Sequence, residues 1–222
     1  MVTTKEPTAT GMASRTAIIL VLFVAAFTAA LAIVYTLTKP AIDASAAEEK
    51  MRTINEVLPG NLYDNDLLTD TLTLPPTAEL GQDDESTVYR ARLKGEPSTL
   101  VLEAVAPDGY AGKIRMLLAI RANGEVAGVR VTLHKETPGL GDYIEPKKDK
   151  NKTHPWITQF DGLSLEKVPT PGDWKVRKDG GRFDSVAGAT VTPRAVVKAV
   201  YKAVKFATDN RERLFAAQRA KE

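Results

Sequence analysis

Hydrophobic positions near the N-terminus form one uninterrupted run that predicts a membrane-spanning helix. From Ala17 to Leu37 the chain passes 21 positions without a charged side chain. Because a helix rises about 1.5 Å per residue, the run would span about 31 Å, close to the thickness of a bilayer's hydrocarbon core. Arg15 and Lys39 flank the run, and Tyr35 stands where aromatic side chains meet the membrane interface. We therefore predict a transmembrane helix over residues 17–37.

A cleaved signal peptide is the alternative interpretation of this run. Ala44-Ser45-Ala46 resembles the small-residue site at which such peptides are cleaved. The apolar part of a signal peptide is only about 7–15 residues long, however, and this site lies well beyond the end of the run. We therefore favour an uncleaved anchor. Basic residues stand on both sides of it, so the charge distribution does not fix its orientation.

The next segment continues with a helical pattern. Residues 40–58 carry helix formers with apolar positions three or four residues apart, and they end at Pro59-Gly60. This pattern predicts a juxtamembrane helix that continues from the anchor and stops before the Pro-Gly pair. The polar residues 75–87 predict a linker. We therefore assign residues 38–74 to the juxtamembrane helix and its connection.

The pattern then changes to the alternation typical of strands. Strands are predicted over residues 88–93, 98–106, 114–120 and 126–133. Asn123-Gly124, between the last two, is the strongest hairpin signal in the chain. Such a meander needs a second layer over one face.

A C-terminal helix from Pro193 to about Thr208 is predicted to supply that layer, with Thr192 as its N-cap. Its apolar stripe consists of Val196, Val197, Val200, Ala203, Val204 and Ala207. The predicted fold class is α+β, with an antiparallel sheet and a C-terminal helix in a domain over residues 75–222.

Composition restricts the chemistry that this domain can perform. The chain has 30 Lys and Arg against 28 Asp and Glu, so its net charge of +2 gives no reason to expect a nucleic-acid partner. It has no cysteine, which excludes disulfides, cysteine-ligated iron–sulfur clusters and a cysteine nucleophile. Its two histidines are too few for most zinc sites, and we predict no metal site. Any redox activity therefore requires an organic cofactor.

Two segments carry the candidate cofactor chemistry. In residues 183–194 (FDSVAGATVTPR), Thr190 follows small residues and precedes the predicted helix, whose N-terminal N–H groups and dipole favour a phosphate. In residues 134–142 (HKETPGLGD), Pro138-Gly139 suits a type II turn with a positive φ at the glycine. Gly139 and Gly141 would then let the backbone approach a flat ligand. A P-loop is disfavoured because no Gly-Lys-Ser/Thr ending follows.

Together the two segments resemble the FMN-binding domain found in the RnfG family of Rnf electron-transport complexes and in the related subunit of the sodium-pumping quinone reductase. In that family, FMN is joined through its phosphate to the last threonine of an Asp-x-x-(Ser/Thr)-Gly-Ala-Thr motif. The resemblance implies covalent FMN on Thr190, with Asp184, Gly188 and Ala189 completing the motif. Ala187 departs from it, since it stands where the family has Ser or Thr.

The resemblance also implies further cofactor contacts around the Pro-Gly turn. They are Glu136, Thr137, Pro138, Gly139, Leu140 and Gly141, with Arg194 as a partner of the phosphate. For Glu136, an exposed loop carboxylate is an equally good interpretation. We expect Trp156 and Trp174 to be buried or interfacial instead of lining the flavin site, and His134 to be a strand-end residue.

The resemblance further implies a place in a membrane complex of Rnf type, relaying electrons between ferredoxin and NAD in a process coupled to ion transport. The chain would be part of an oxidoreductase, with no catalytic residue and no substrate turnover of its own. Partners would be the membrane, flavin and iron–sulfur subunits, and a flavin transferase for maturation. The family places residues 1–16 in the cytoplasm, the helix in the bacterial inner membrane, and the C-terminal domain in the periplasm. The alternatives are the related quinone-reductase subunit and a non-redox, membrane-tethered binding or assembly module.

Overall fold

The computed structural model describes residues 9–216, which fall into two compact units that divide after Lys50. The first unit is helical. Helix α1, Ala9–Asn55, is continuous through Pro40, so the predicted helical continuation beyond residue 37 is confirmed, although α1 ends three residues before residue 58. Among the described residues, α1 is the one helix long and apolar enough to cross a membrane. Residues 1–8 of the expected cytoplasmic segment and residues 217–222 of the predicted domain lie outside the described residues.

The second unit contains one antiparallel sheet whose five strands are arranged in sequence order. The strands are β1 (Thr71–Leu74), β2 (Ser86–Leu93), β3 (Glu96–Ala106), β4 (Ile114–Arg121) and β5 (Val126–Leu133). The four predicted strands and the hairpin between β4 and β5 are confirmed. Strand β1 was not predicted, because four residues are too few for an alternation signal. Its pairing with β2 is what makes it a strand.

Helices α2 (Val191–Asp209) and α3 (Arg211–Phe215) complete the unit. All six residues of the predicted α2 stripe are buried in the main core, against the face of the sheet that carries Leu102, Met116 and Leu118. The opposite face, which includes Val101 and Ala119, is covered by a second cluster from residues 54–68. The sheet is therefore covered on both faces. The α+β class is confirmed, and the second covering layer was not expected.

Between β5 and α2 the chain is irregular, and aromatic packing fixes it. Short 3-10 turns at Asp142–Ile144, Trp156–Phe160, Pro171–Asp173 and Arg177–Asp179 interrupt this segment. Phe160 stacks on Phe183 with ring centroids 4.8 Å apart, and Trp156 meets Phe160 edge-on at 5.6 Å. Trp156 and Trp174 are buried, as predicted. This aromatic group supports the residues that lead into α2.

Candidate cofactor site

The two candidate segments meet beside the N-terminus of α2. They line a cleft of about 230 Å³, although 40 residues of sequence separate them. The residues that line it are Tyr110, Glu136, Thr137, Leu140, Gly141, Gly188, Ala189, Thr190, Val191 and Thr192. Six other predicted site residues are thus brought together with Thr190 in one place. Pro138, Gly139, Asp184 and Arg194 are not among the lining residues.

The Pro-Gly segment forms the predicted tight turn. The N–H groups of Leu140 and Gly141 donate to the Thr137 carbonyl oxygen at 3.1 and 3.0 Å. Gly139 has φ +75°, which confirms the positive φ expected there. Its N–H donates to Asp142 Oδ1 at 2.8 Å, which fastens the turn to the 3-10 turn that follows.

Gly141 is required for a different reason, which is close packing. Its φ of −97° is open to any residue. A Cβ atom here, however, would lie 2.9 Å from Thr192 Oγ1 and 3.0 Å from Glu136 Oε2. The missing side chain lets the turn lie directly against these two side chains.

Glu136 is a buried carboxylate, and the interpretation as an exposed loop residue is wrong. The residue is only 4% exposed. Its Oε1 accepts from the Ala111 N–H at 3.0 Å, and its Oε2 accepts from the Thr192 hydroxyl. Both oxygens are therefore bound by protein donors, as a buried carboxylate requires.

His134 holds the main chain of Glu136. It directly follows β5, as expected of a strand-end residue. Its Nδ1 accepts from the Glu136 N–H at 3.0 Å, so the proton of the neutral ring is on Nε2, which donates to Glu145 Oε1 at 2.7 Å.

Helix α2 begins earlier than predicted, and the assignment of Thr192 as its N-cap is wrong. The N-cap is Thr190, and its side chain makes no capping hydrogen bond. Thr192 lies in the first turn, is 2% exposed, and donates its hydroxyl to Glu136. A threonine followed by proline signals a helix start, but the tertiary acceptor on Glu136 places that threonine inside the helix. Pro193 lies in the first turn, where its missing N–H costs nothing.

The N-terminus of α2 presents backbone donors to the cleft. The first intrahelical bond is made by the Arg194 N–H, which donates to the Thr190 carbonyl at 3.3 Å. The N–H groups of Val191 and Thr192 precede it and have no acceptor within the helix. They lie at the positive end of the helix dipole. This part of the cleft suits a phosphate.

Asp184 and Arg194 lie outside this cleft. The Asp184 main chain is fixed, since its carbonyl accepts from Trp156 Nε1–H at 2.6 Å and its N–H donates to Gln159 at 2.9 Å. Its carboxylate is exposed beside a neighbouring cleft of about 460 Å³ and pairs with Arg177 at 3.0 Å. Arg194 forms a two-pronged pair with Asp179, at 2.5 and 2.6 Å, and this pairing lowers the Asp179 pKa. The predicted partner of the phosphate is thus bound to a carboxylate in this structure.

Two tyrosines at the site were missed by the sequence reasoning. Tyr110 is 71% exposed and lines the cleft from the turn after β3. The one signal in the sequence was its position as an aromatic residue directly after Asp108-Gly109. Tyr143 is buried, and its hydroxyl donates to the Ala189 carbonyl at 3.3 Å and accepts from the Val186 N–H at 3.5 Å. Burial raises the pKa of Tyr143 to about 12, so it remains a neutral donor to the loop before Thr190. Nothing in its sequence context indicated that role.

Comparison with known proteins matches both parts of the chain. The FMN-binding domain family matches residues 109–205, which include both candidate segments, and the RnfG N-terminal region matches residues 10–57. The G subunit of the ion-translocating oxidoreductase complex of Pseudomonas aeruginosa (strain UCBPP-PA14) is 45% identical over 206 residues, which are 93% of this chain and 94% of the relative. The G subunit from Vibrio atlanticus (strain LGP32) is 39% identical over 202 residues, which are 91% and 93% of the two chains. That of Shewanella oneidensis (strain MR-1) is also 39% identical over 202 residues, with 91% and 92% covered.

Proposed function

This chain belongs to the RnfG family of ion-translocating oxidoreductase complexes, with an FMN-binding domain and one apolar helix that fits a single-pass membrane protein, and we propose that it carries FMN joined through the phosphate to Thr190. One observation carries this proposal. Thr190 stands at the N-cap of α2 and lines the same cleft as the Thr137–Gly141 turn. A phosphoester at that oxygen would lie where the helix presents its unbonded N–H groups.

The residues of the cleft near Thr190 suit the phosphate of FMN. The Thr190 hydroxyl makes no capping hydrogen bond, so forming an ester there breaks no helix cap. The N–H groups of Val191 and Thr192 supply donors to phosphate oxygens, and the helix dipole stabilises their charge. The approach beside Gly188 is open, since even a Cβ at that position would meet no atom within 4 Å.

The small volume of the cleft explains why a covalent link would help. Its volume of about 230 Å³ is below the roughly 300–1,000 Å³ of pockets that enclose a ligand. Tyr110, Leu140 and Val191 are exposed apolar or aromatic side chains at its rim, suited to the face of a flat ring. A tether holds a ligand at such a surface by making its binding intramolecular, whatever its intrinsic affinity.

Bound FMN supplies reversible electron transfer, which no side chain of this protein performs unaided. The residues of this chain would hold the phosphate, orient the ring and leave its outer edge accessible to a redox partner. We propose that the protein relays electrons in a ferredoxin:NAD oxidoreductase of Rnf type, beside membrane, flavin and iron–sulfur subunits. The helix would lie in the bacterial inner membrane, with the domain in the periplasm.

Attachment would require a flavin transferase and an activated donor, a flavin dinucleotide whose phosphoanhydride bond breaks as the Thr190 ester forms, with a nucleoside monophosphate as the leaving group. The placement of Asp184 supports recognition by such an enzyme. The carboxylate is exposed while the main chain on both sides of it is fixed by Trp156 and Gln159. An external enzyme could therefore bind the Asp184 carboxylate without unfolding the loop. The match of residues 10–57 to the RnfG N-terminal region favours the Rnf complex over the quinone reductase.

The test is to co-express the full-length chain with a flavin transferase and to examine the denatured protein for flavin fluorescence in a gel. We expect fluorescence that survives denaturation, and an added FMN mass on Thr190 in the peptide spanning residues 183–194. Thr190→Ala should abolish it, and Thr190→Ser, which keeps a hydroxyl, should retain it. A flavin mass on Ser185 or Thr192, or no covalent flavin in the wild-type chain, would contradict the proposal and favour the non-redox module.

A further inference from the structure

We propose that Glu136 and Thr192 are positioning residues that hold the three walls of the cleft in one geometry and thereby set the environment of the flavin ring. The inference rests on the proposed attachment at Thr190 and goes beyond it. Neither residue is proposed to contact the ring or to act on a substrate. Their effect would come through the walls that they join.

The three walls come from separate parts of the chain. The first is the turn after β3 that carries Tyr110, the second is the turn Thr137–Gly141 after β5, and the third is the N-terminus of α2. Within residues 9–216, no strand pairing joins these segments to one another. Pairing of β4 with β5 as far as Arg115 and Leu133 brings the bases of the first two walls together. Side-chain contacts fix the turns themselves and their placement against α2, and one of these is the exposed pair of Asp108 with Lys198 at 2.7 Å.

Glu136 makes those contacts from the second wall to both others. Oε1 accepts from the Ala111 N–H at 3.0 Å, next to Tyr110 and 25 residues away in sequence. Oε2 accepts from the hydroxyl of Thr192, 56 residues away and two positions after Thr190. One carboxylate thus joins the residue beside the rim tyrosine to the first turn of the helix that carries the attachment site.

The carboxylate is fixed from its own side as well. Its main-chain N–H is bound to His134 Nδ1, and His134 Nε2 is bound to Glu145. Both Glu136 and Thr192 are buried, so water does not replace either partner if the other is lost. Hydrogen bonds to a charged acceptor are also the stronger ones.

Gly141 lies directly against this pair. A Cβ atom there would come within 2.9 Å of Thr192 Oγ1 and 3.0 Å of Glu136 Oε2, closer than Cβ atoms normally approach other atoms. Gly141→Ala therefore offers a way to displace the pair without changing either member. Its φ of −97° means that backbone strain would not confuse the result.

The experiment compares full-length, flavinylated wild type with Thr192→Val, Thr192→Ser and Gly141→Ala. None of these changes the net charge, so a shift in potential would report geometry and hydrogen bonding. Covalent flavin fluorescence in a denaturing gel checks attachment, and thermal unfolding checks the fold. The readouts are the visible circular dichroism of the flavin and its midpoint potential.

We expect Thr192→Val and Gly141→Ala to keep the covalent flavin but to lose the wild-type dichroism and to shift the potential. Thr192→Ser should restore both, because it retains the hydroxyl donor.

Wild-type dichroism and potential in folded, flavinylated Thr192→Val and Gly141→Ala would overturn the positioning role and leave the attachment at Thr190 intact. A Thr192→Ser protein that behaves like Thr192→Val would also overturn it, because the hydroxyl would then not be the cause. Absence of flavin on Thr190 in the wild type would instead overturn the proposed function, and this inference with it.

Discussion

The buried hydrogen bond between Thr192 and Glu136 predicts a loss of stability when the Thr192 hydroxyl is removed. Thr192→Val keeps the shape of the side chain but removes the hydroxyl that Oε2 accepts from. A hydrogen bond to a charged group is worth about 1.5–3 kcal/mol, and leaving the buried acceptor unsatisfied costs about 1–3 kcal/mol. Both ranges describe the loss of the same hydrogen bond, so they are not added. We expect the free energy of unfolding to fall by about 1.5–3 kcal/mol. For a unit of this size, that is about 3–12 °C in Tm.

The matched control is Thr190→Val, two positions earlier at the N-cap. Its hydroxyl makes no capping hydrogen bond, so the change should alter the free energy of unfolding by no more than about 0.5 kcal/mol. The chain has two tryptophans, Trp156 and Trp174, and both are buried in the second unit. Their fluorescence during urea unfolding of the full-length chain, prepared in detergent without flavin, therefore follows this unit. Equal losses for the two variants, or a larger loss for Thr190→Val, would refute the reasoning.

Three further predictions test other parts of the proposal. Gly139→Val should perturb the flavin's spectrum and potential while attachment persists, because a β-branched residue at φ +75° costs about 1–3 kcal/mol of backbone strain. An unchanged spectrum in folded protein would mean that this turn does not contact the flavin ring. Asp184→Ala should reduce or abolish flavinylation yet leave the unfolding midpoint nearly unchanged, since its exposed pair with Arg177 is worth only about 0–1 kcal/mol; full labelling by the transferase would contradict its role in recognition. Protease added to spheroplasts should digest the domain from about residue 40 onward, and protection until lysis would reverse the proposed orientation.

The proposed tether, at a site with an exposed rim, would suit a protein that exchanges electrons with other proteins. A deep pocket would bury the ring edge that a partner has to approach. Here the rim residues Tyr110, Leu140 and Val191 are exposed, while the residues that fix the walls, Glu136 and Thr192, are buried. The buried residues that join the walls are thus separate from the exposed rim side chains that would meet the proposed flavin.

Local pattern was sufficient for much of the fold. The apolar run in α1, strands β2 to β5 and the hairpin at Asn123-Gly124 depend on nearest-neighbour geometry, which periodicity and turn chemistry record. The six-residue stripe on α2 likewise indicated its buried face. Strand β1 escaped because its four residues become a strand only through pairing with β2. Because the two candidate segments together resemble one FMN-binding domain, they were expected to lie at the same site.

What the sequence determined by itself was most of the elements and the chemical groups at the site: a long apolar helix, four strands of a meander, a C-terminal helix, a tight turn and a threonine in a small-residue loop. Only the tertiary structure decided how the groups are used. Thr192 became a buried donor instead of a cap because Glu136 lies within reach of it, and Arg194 pairs with Asp179 because the fold brings that carboxylate within hydrogen-bond distance. The partners of these two hydrogen bonds are 56 and 15 positions apart in the sequence, so no periodic pattern in a single sequence reveals them. The bond between Thr192 and Glu136 is buried, and losing one partner there leaves the other without a replacement.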